Sequence, residues 1–241
     1  MSTPLYPLLA GFFEEEIKIF RSLKAAGLEV STVFDVGSSH GGWSWKMSEI
    51  FTEARFCLFE PLVGVIPDYL DYMTQTLSAL PGSRLFKLAL SDRNGTQLML
   101  TDPEGYSASL LLKSATGILR DEVSITVRRL DDLMAEESLP VPDILKIDVQ
   151  GGEMLVLRGL GEHLAKVKVI QAETWFTRAY GPDTPLFHEI HQFLAAHEFV
   201  FLDIGGRYYS SVHELYACDA FFVQRAVLER LKAPLPNAPL T

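Results

Sequence analysis

The sequence predicts an α/β fold in which a mainly parallel sheet carries helices on both faces. Three observations lead there. Apolar, strand-like runs alternate with helix-patterned segments along nearly the whole chain. One stretch, Val33-Phe34-Asp35-Val36-Gly37-Ser38-Ser39-His40-Gly41-Gly42, reads as a strand that ends beside an acid and breaks into a small-residue loop before a helix. The 241 residues are 48% hydrophobic and 22% charged, enough apolar material for one sizeable core.

Taken in order, Phe13, Ile17, Phe20 and Leu23 recur at helical spacing, and Gly27 is placed to end that helix. Residues 1–30 thus read as a helical cap over one end of the sheet, with a homodimer contact as the alternative use of the same helix. The first strand is 32–36 and the helix after the loop 43–51. The second strand, 55–60, is a continuous apolar run stopped by Glu60-Pro61, since proline cannot extend a central strand. A helix over 63–80, interrupted at Pro67 and ended by Pro81-Gly82, leads to a third strand over 83–90.

From 91 to 129 the pattern changes. Asp92-Arg93-Asn94-Gly95 and Asp102-Pro103-Glu104-Gly105 are turn signals, 96–101 a short strand and 123–129 an alternating one. The region reads as an antiparallel insertion, too poor in apolar residues for a core of its own. A short helix follows over 130–137, then strand 144–149 and, after Gln150-Gly151-Gly152, helix 153–160. Strands at 167–173, 199–204 and 217–223 complete the sheet, with a turn at Gly205-Gly206. Leu186, Ile190, Phe193 and Leu194 mark a helix face, and 226–241 is a closing helix with a Pro-rich tail. The main domain is therefore 31–225.

A net charge of −10 and the lack of a Lys/Arg cluster argue against nucleic-acid binding. No apolar run approaches the roughly 18 residues of a membrane span. The first residues lack a basic start, so no signal peptide is expected. Cys57 and Cys218 lie in strand-like runs and read as small buried hydrophobes in a reducing, cytoplasmic setting. The six histidines show no metal-ligand spacing.

In open α/β sheets ligands sit at the carboxyl ends of the strands. Asp35, Glu60, Ser91-Asp92, Asp148 and Glu173 stand at those exits. The loop at Gly37 lacks both the phosphate-cradling Gly-x-x-x-x-Gly-Lys pattern and Gly-x-Gly-x-x-Gly, because Ser39 stands two after Gly37. Glu60, 25 residues beyond Asp35, suits the two hydroxyls of a ribose. A nucleoside without phosphates and with a positive charge fits this combination, and S-adenosylmethionine is such a ligand.

Asp35-Val36-Gly37, Phe59-Glu60-Pro61, Ala89-Leu90-Ser91-Asp92-x-x-Gly95, Arg129-Leu130-Asp131-Asp132-Leu133 and above all Lys146-Ile147-Asp148-Val149-Gln150-Gly151-Gly152-Glu153 resemble the FkbM-type methyltransferases over 32–223. Gln150, where that family usually has Glu, and the bulky His40-Gly41-Gly42-Trp43 are departures. The resemblance implies the seven-stranded, Rossmann-like class I methyltransferase sheet with its last strand antiparallel. It also implies O-methylation of a hydroxyl on a small acceptor, a sugar or a natural product. The cofactor contacts expected are Asp35, Gly37, Ser38, Ser39, His40, Gly41, Glu60, Pro61 and Asp148, with Ser91 or Asp92 towards the adenine. Asp148 is the first candidate for the base and Glu173 the second. Lys146, on the same strand face as Asp148, joins them as a candidate, its simpler role being to neutralise Asp148 or Asp35. A nicotinamide-dependent oxidoreductase and a degenerate nucleoside-binding module are the rival readings.

Overall fold

A computed structural model describes residues 11–102, 105, 108–111 and 121–233. The Pro-rich tail beyond 233 lies outside the described residues.

The main sheet has seven strands: β1 (Thr32–Val36), β2 (Arg55–Phe59), β3 (Arg84–Phe86), β7 (Ile144–Ile147), β8 (Val169–Trp175), β9 (Phe199–Tyr209) and β10 (Leu215–Gln224). Their spatial order is β3-β2-β1-β7-β8-β10-β9. Neighbours from β3 to β8 pair in parallel, and β10 runs antiparallel to both β8 and β9. The antiparallel last strand is the one that the family resemblance implies.

Alternate residues of each strand feed opposite layers. On one face Val33, Phe56, Leu58, Ile144, Val169 and Phe221 pack under α1 (Glu14–Ala25), α2 (Gly42–Ser48) and α3 (Pro67–Ala79) through Phe20, Met47 and Met73. On the other, Phe34, Phe59, Leu145, Ile170 and Phe222 pack under α4 (Leu130–Glu137), α5 (Glu153–Gly159) and α6 (Phe187–Ala196) through Leu133, Leu157 and Leu194. Burial on both faces explains the unbroken apolar runs of β1 and β2. Helix α1 is seated on the sheet: Phe20 meets Phe221 edge-on at 5.3 Å and Trp43 at 5.9 Å. The chain closes with α7 (Arg225–Lys232). Among the described residues no helix is long and apolar enough to cross a membrane.

Four expectations change. The run over 83–90 is two strands: β3 stays in the main sheet, whereas β4 (Ala89–Ser91) pairs in parallel with β6 (Asp121–Arg129). With β5 (Gly95–Thr101), antiparallel to β6, these form a separate sheet of order β4-β6-β5, so the insertion is mixed and not purely antiparallel. An apolar run reads the same whether it stays in one sheet or crosses between two. Pro67 does not interrupt a helix but starts α3 in its first turn, where its missing N–H costs nothing. Gly205-Gly206 is not a turn; it lies inside β9. A Cβ on Gly206 would stand 2.4 Å from Asp219 Oδ2, and one on Gly205 3.0 Å from Glu16 Oε1. The glycines are there for close approach.

Candidate active site at the carboxyl ends of the central strands

The exit of β1 is crowded. Gly37 has φ +72, and a Cβ on it would lie 1.8 Å from the carbonyl oxygen of Asp148, so only glycine lets the β1 and β7 exits touch. Gly37 N–H and Ser38 N–H both donate to the Phe59 carbonyl, tying the loop to β2. Ser39 N–H donates to Glu60 Oε2 at 2.8 Å, and Leu62 N–H to Glu60 Oε1 at 2.9 Å. Glu60 is buried, and desolvation, opposed by those two N–H bonds, pushes its carboxyl from the usual 4.5 up to about 7. Pro61 stands beside it on the wall of a cleft.

That cleft is bounded by Gly37, Ser39, Phe59 and Glu60 on the main sheet, by Tyr69 of α3 and by Asp148 to Gln150. Its remaining wall is apolar: Ala89, Leu90, Met99, Ala108 and Leu110, all from the β4–β6 insertion or its edges. Ala89 and Leu90 belong to the motif that carries the family resemblance, but Met99, Ala108, Leu110 and Tyr69 were not singled out from the sequence. The short strand over 96–101 was the available signal, but it places Met99 on a strand without saying what its face covers.

Other expected contacts lie further back. His40 is not on the cleft wall; its ring packs against Tyr69 and Tyr72 at 4.4 and 5.0 Å, and burial lowers its pKa. Gly41 (φ +78) turns the chain against Thr76, and the Ser38 hydroxyl is buried. Ser91 is buried with its carbonyl against Gly159 of α5, and Asp92 faces Arg93 at 3.6 Å. Asp35 is wholly buried, accepting from Ser44 Oγ at 2.7 Å.

The acids meet in one row. Ile147 pairs with Ala172, and Asp219 with Glu173, so the register sets Asp148, Glu173 and Asp219 side by side on β7, β8 and β10. Below them Lys146 Nζ donates to the Gly37 carbonyl at 2.7 Å and stands 3.1 Å from Asp35 Oδ1 and 3.5 Å from Asp148 Oδ2. Burial alone pulls the Lys146 pKa down, but the charges of Asp35 and Asp148 raise it above its ordinary value, so it stays a cation. Asp148 reaches the cleft, with its side chain 36% exposed, whereas Glu173 and Asp219 are buried. Burial and the neighbouring Asp148 charge raise Glu173 well above the usual carboxylate range and Asp219 to about 8. Tyr208 donates to Asp219 Oδ2 at 3.1 Å, and Glu16 of α1 accepts from Gly206 N–H at 2.8 Å. Asp219, Tyr208 and Glu16 went unnoticed in the sequence, because their neighbours come from distant parts of the chain.

Glu153 opens α5 by accepting from the Gly151 and Val149 N–H groups, at 3.0 and 3.3 Å. It therefore shapes the turn behind Asp148, and burial lifts its pKa to about 7. No group of three or more His, Cys, Asp or Glu among the described residues is arranged to hold a metal.

The family model described as "Methyltransferase FkbM domain" matches residues 35–201. Hexuronic acid methyltransferase AglP of Haloferax volcanii is 27% identical over 161 residues, covering 66% of this chain and 62% of that protein. The 2-O-methyltransferase NoeI of Sinorhizobium fredii is 27% identical over 169 residues, covering 64% of this chain and 67% of that protein. Among solved structures, methyltransferase FkbM from Methylobacillus flagellatus is 14% identical with a TM-score of 0.46, covering 85% of this chain and 47% of that one.

Proposed function

The chain belongs to the FkbM methyltransferase domain family, and we propose that it transfers a methyl group from S-adenosylmethionine to a hydroxyl of a small acceptor, a sugar or a natural product. The observation that carries this reading is the joint position of Glu60 and Asp148 on one cleft, the first buried and bonded by the β1 loop, the second partly exposed. The name of AglP, a hexuronic acid methyltransferase, supports the sugar end of that range, and that of NoeI, a 2-O-methyltransferase, supports an oxygen acceptor; each is 27% identical.

The residues present fit the cofactor. Each Glu60 oxygen takes one backbone N–H, which leaves a lone pair on each for the two hydroxyls of a ribose. Leu90, Met99 and Leu110 offer an apolar wall for a flat ring, and Gly37 and Ser39 of the β1 loop line the same cleft. When bound, S-adenosylmethionine supplies a methyl group activated by a positively charged sulfur. Asp148 then does the protein's share of the chemistry: it orients the acceptor hydroxyl at the rim and takes its proton as the oxygen attacks. Lys146 holds Asp148 to the β1 exit, and Glu173 stands behind it as a second carboxylate. Incubating the protein with methyl-labelled S-adenosylmethionine and a panel of glycosides and hydroxylated metabolites tests the reading. Label is expected on a hydroxyl oxygen; binding of NAD with no binding of S-adenosylhomocysteine would refute it.

A further inference from the structure

One neutral side chain joins the two candidate bases. Gln150 Nε2 donates to Asp148 Oδ1 at 2.9 Å and to Glu173 Oε2 at 2.9 Å. An amide nitrogen has two protons, and both are used here, one on each carboxylate. The carboxyl oxygens Asp148 Oδ1 and Glu173 Oε2 accept these protons, which sets the amide nitrogen towards the pair. The other end, Oε1, receives the Tyr180 hydroxyl.

The residue is held from several directions. Its own carbonyl accepts from Ser109 Oγ of the insertion at 2.7 Å. Its φ is +55, a left-handed conformation that disfavours a side-chain-bearing residue, so a plain turn would favour glycine here. The Tyr180 end is anchored too: Tyr180 N–H donates to Thr184 Oγ1, and its ring packs edge-on against Trp175 at 5.2 Å.

The charges round the pair explain why an amide is needed. Facing Glu173 are Asp148 and Lys146 of β7, Glu153 of α5 and Asp219 of β10, with Tyr208 of β9 and Glu16 of α1 beyond Asp219. Lys146 is engaged with Asp35 and the Gly37 carbonyl, and its nearer contact to the pair is Asp148 Oδ2, not Glu173. Two carboxylates placed side by side repel unless a donor stands between them.

We propose that Gln150 is a positioning residue for the methyl transfer: its amide spaces and orients Asp148 and Glu173 so that Asp148 meets the cleft with lone pairs free for the acceptor hydroxyl. This rests on the transferase reading above for its reaction, but not for its geometry. Gln150→Glu keeps the shape and replaces the two donors by a third carboxylate. Gln150→Gly removes the amide and suits the positive φ, so that variant folds even if the other does not.

The first measurement needs no cofactor. Carbon-13 NMR of carboxyl-labelled Asp and Glu follows proton uptake by the Asp148–Glu173 pair as pH falls. Both variants are expected to take up the proton about one pH unit or more higher than the parent, as like charges facing each other without a donor do. The second measurement is the pH profile of methyl transfer: the acid limb of kcat moves up with the same spacing, and kcat near neutrality falls roughly tenfold or more. S-adenosylhomocysteine affinity stays within about threefold, since Gln150 is not among the residues assigned to the ribose. Titration and kcat that match the parent in both variants would overturn the proposal, as would a kcat loss with no movement of the limb. A parent that transfers no methyl to any acceptor refutes the transferase reading instead, and the carboxyl titrations still decide whether Gln150 governs the pair.

Discussion

Glu60→Gln separates two things that one buried carboxylate does. In the folded protein each Glu60 oxygen accepts a backbone N–H, from Ser39 at 2.8 Å and Leu62 at 2.9 Å. A glutamine has one acceptor and one NH2, so either orientation turns a donor against a donor. The lost bond to a charged group is worth about 1.5–3 kcal/mol. Against this, burial has moved the Glu60 carboxyl from 4.5 to about 7, and carrying its charge above pH 7 costs the fold roughly 3 kcal/mol. The sign is that of an acid whose folded pKa is raised: the folded state keeps its proton after the unfolded chain has released it. Stability from this group is therefore full below about pH 4.5 and is lost as pH rises to about 7. The variant lacks that loss. Urea unfolding of cofactor-free protein at pH 5 and pH 8 should show the variant gaining on the parent by roughly 3 kcal/mol between the two. Calorimetry should show S-adenosylhomocysteine bound roughly ten- to a hundredfold more weakly, because the ribose loses one acceptor. Parallel unfolding curves would refute the burial argument, and unchanged affinity would remove Glu60 from the ribose site.

Three further outcomes are expected. Asp148→Asn should cut turnover by roughly two to four powers of ten while leaving S-adenosylhomocysteine affinity nearly unchanged; full activity would exclude Asp148 as base and move the test to Glu173. Lys146→Met strands Asp35, wholly buried with Ser44 Oγ as its remaining hydrogen-bond donor, and should destabilise the fold by about 3–5 kcal/mol in urea titrations; parental stability would show that the ion pair is not structural. S-adenosylhomocysteine should raise the melting midpoint in a concentration-dependent way and NAD should not, a pattern that the nicotinamide reading reverses.

What the sequence disclosed depended on the range of the physics. Local signals were read well: the continuous apolar run of β2, the helix over Leu130–Glu137 that matches its expected bounds, and the strand, loop and helix about Gly37. Long-range register was not readable. Asp219 sits 46 positions beyond Glu173 in the chain, yet antiparallel pairing puts the two opposite each other, and no window on the sequence shows that. The same holds for Glu16, whose acidic neighbours Glu14 and Glu15 suggest a solvated helix start while its own side chain is 4% exposed under β9. The split of 83–90 into two sheets failed for the opposite reason: the local apolar pattern is satisfied by either arrangement, and only the packing of Ala89 and Leu90 against the cleft decides it.

The acids at the strand exits are consequently unequal, although the sequence presents them alike. Asp35 lies in register with Lys146 and is paired with it below the cleft. Glu60 is occupied by two backbone N–H groups, one on each oxygen, and has no cation within ion-pair distance among the described residues. Glu173 and Asp219 face each other with Lys146 committed elsewhere, and burial favours their protonated forms. Asp148 alone of the five combines a cation at 3.5 Å, an amide donor at 2.9 Å and a partly open face on the cleft. The base proposed above must hold its direction and reach the substrate, and in this row those two conditions meet at Asp148. That selection comes from the pairing of β1, β7, β8 and β10 acting through Lys146 and Gln150, so changing either partner should alter Asp148 before it alters the cofactor site.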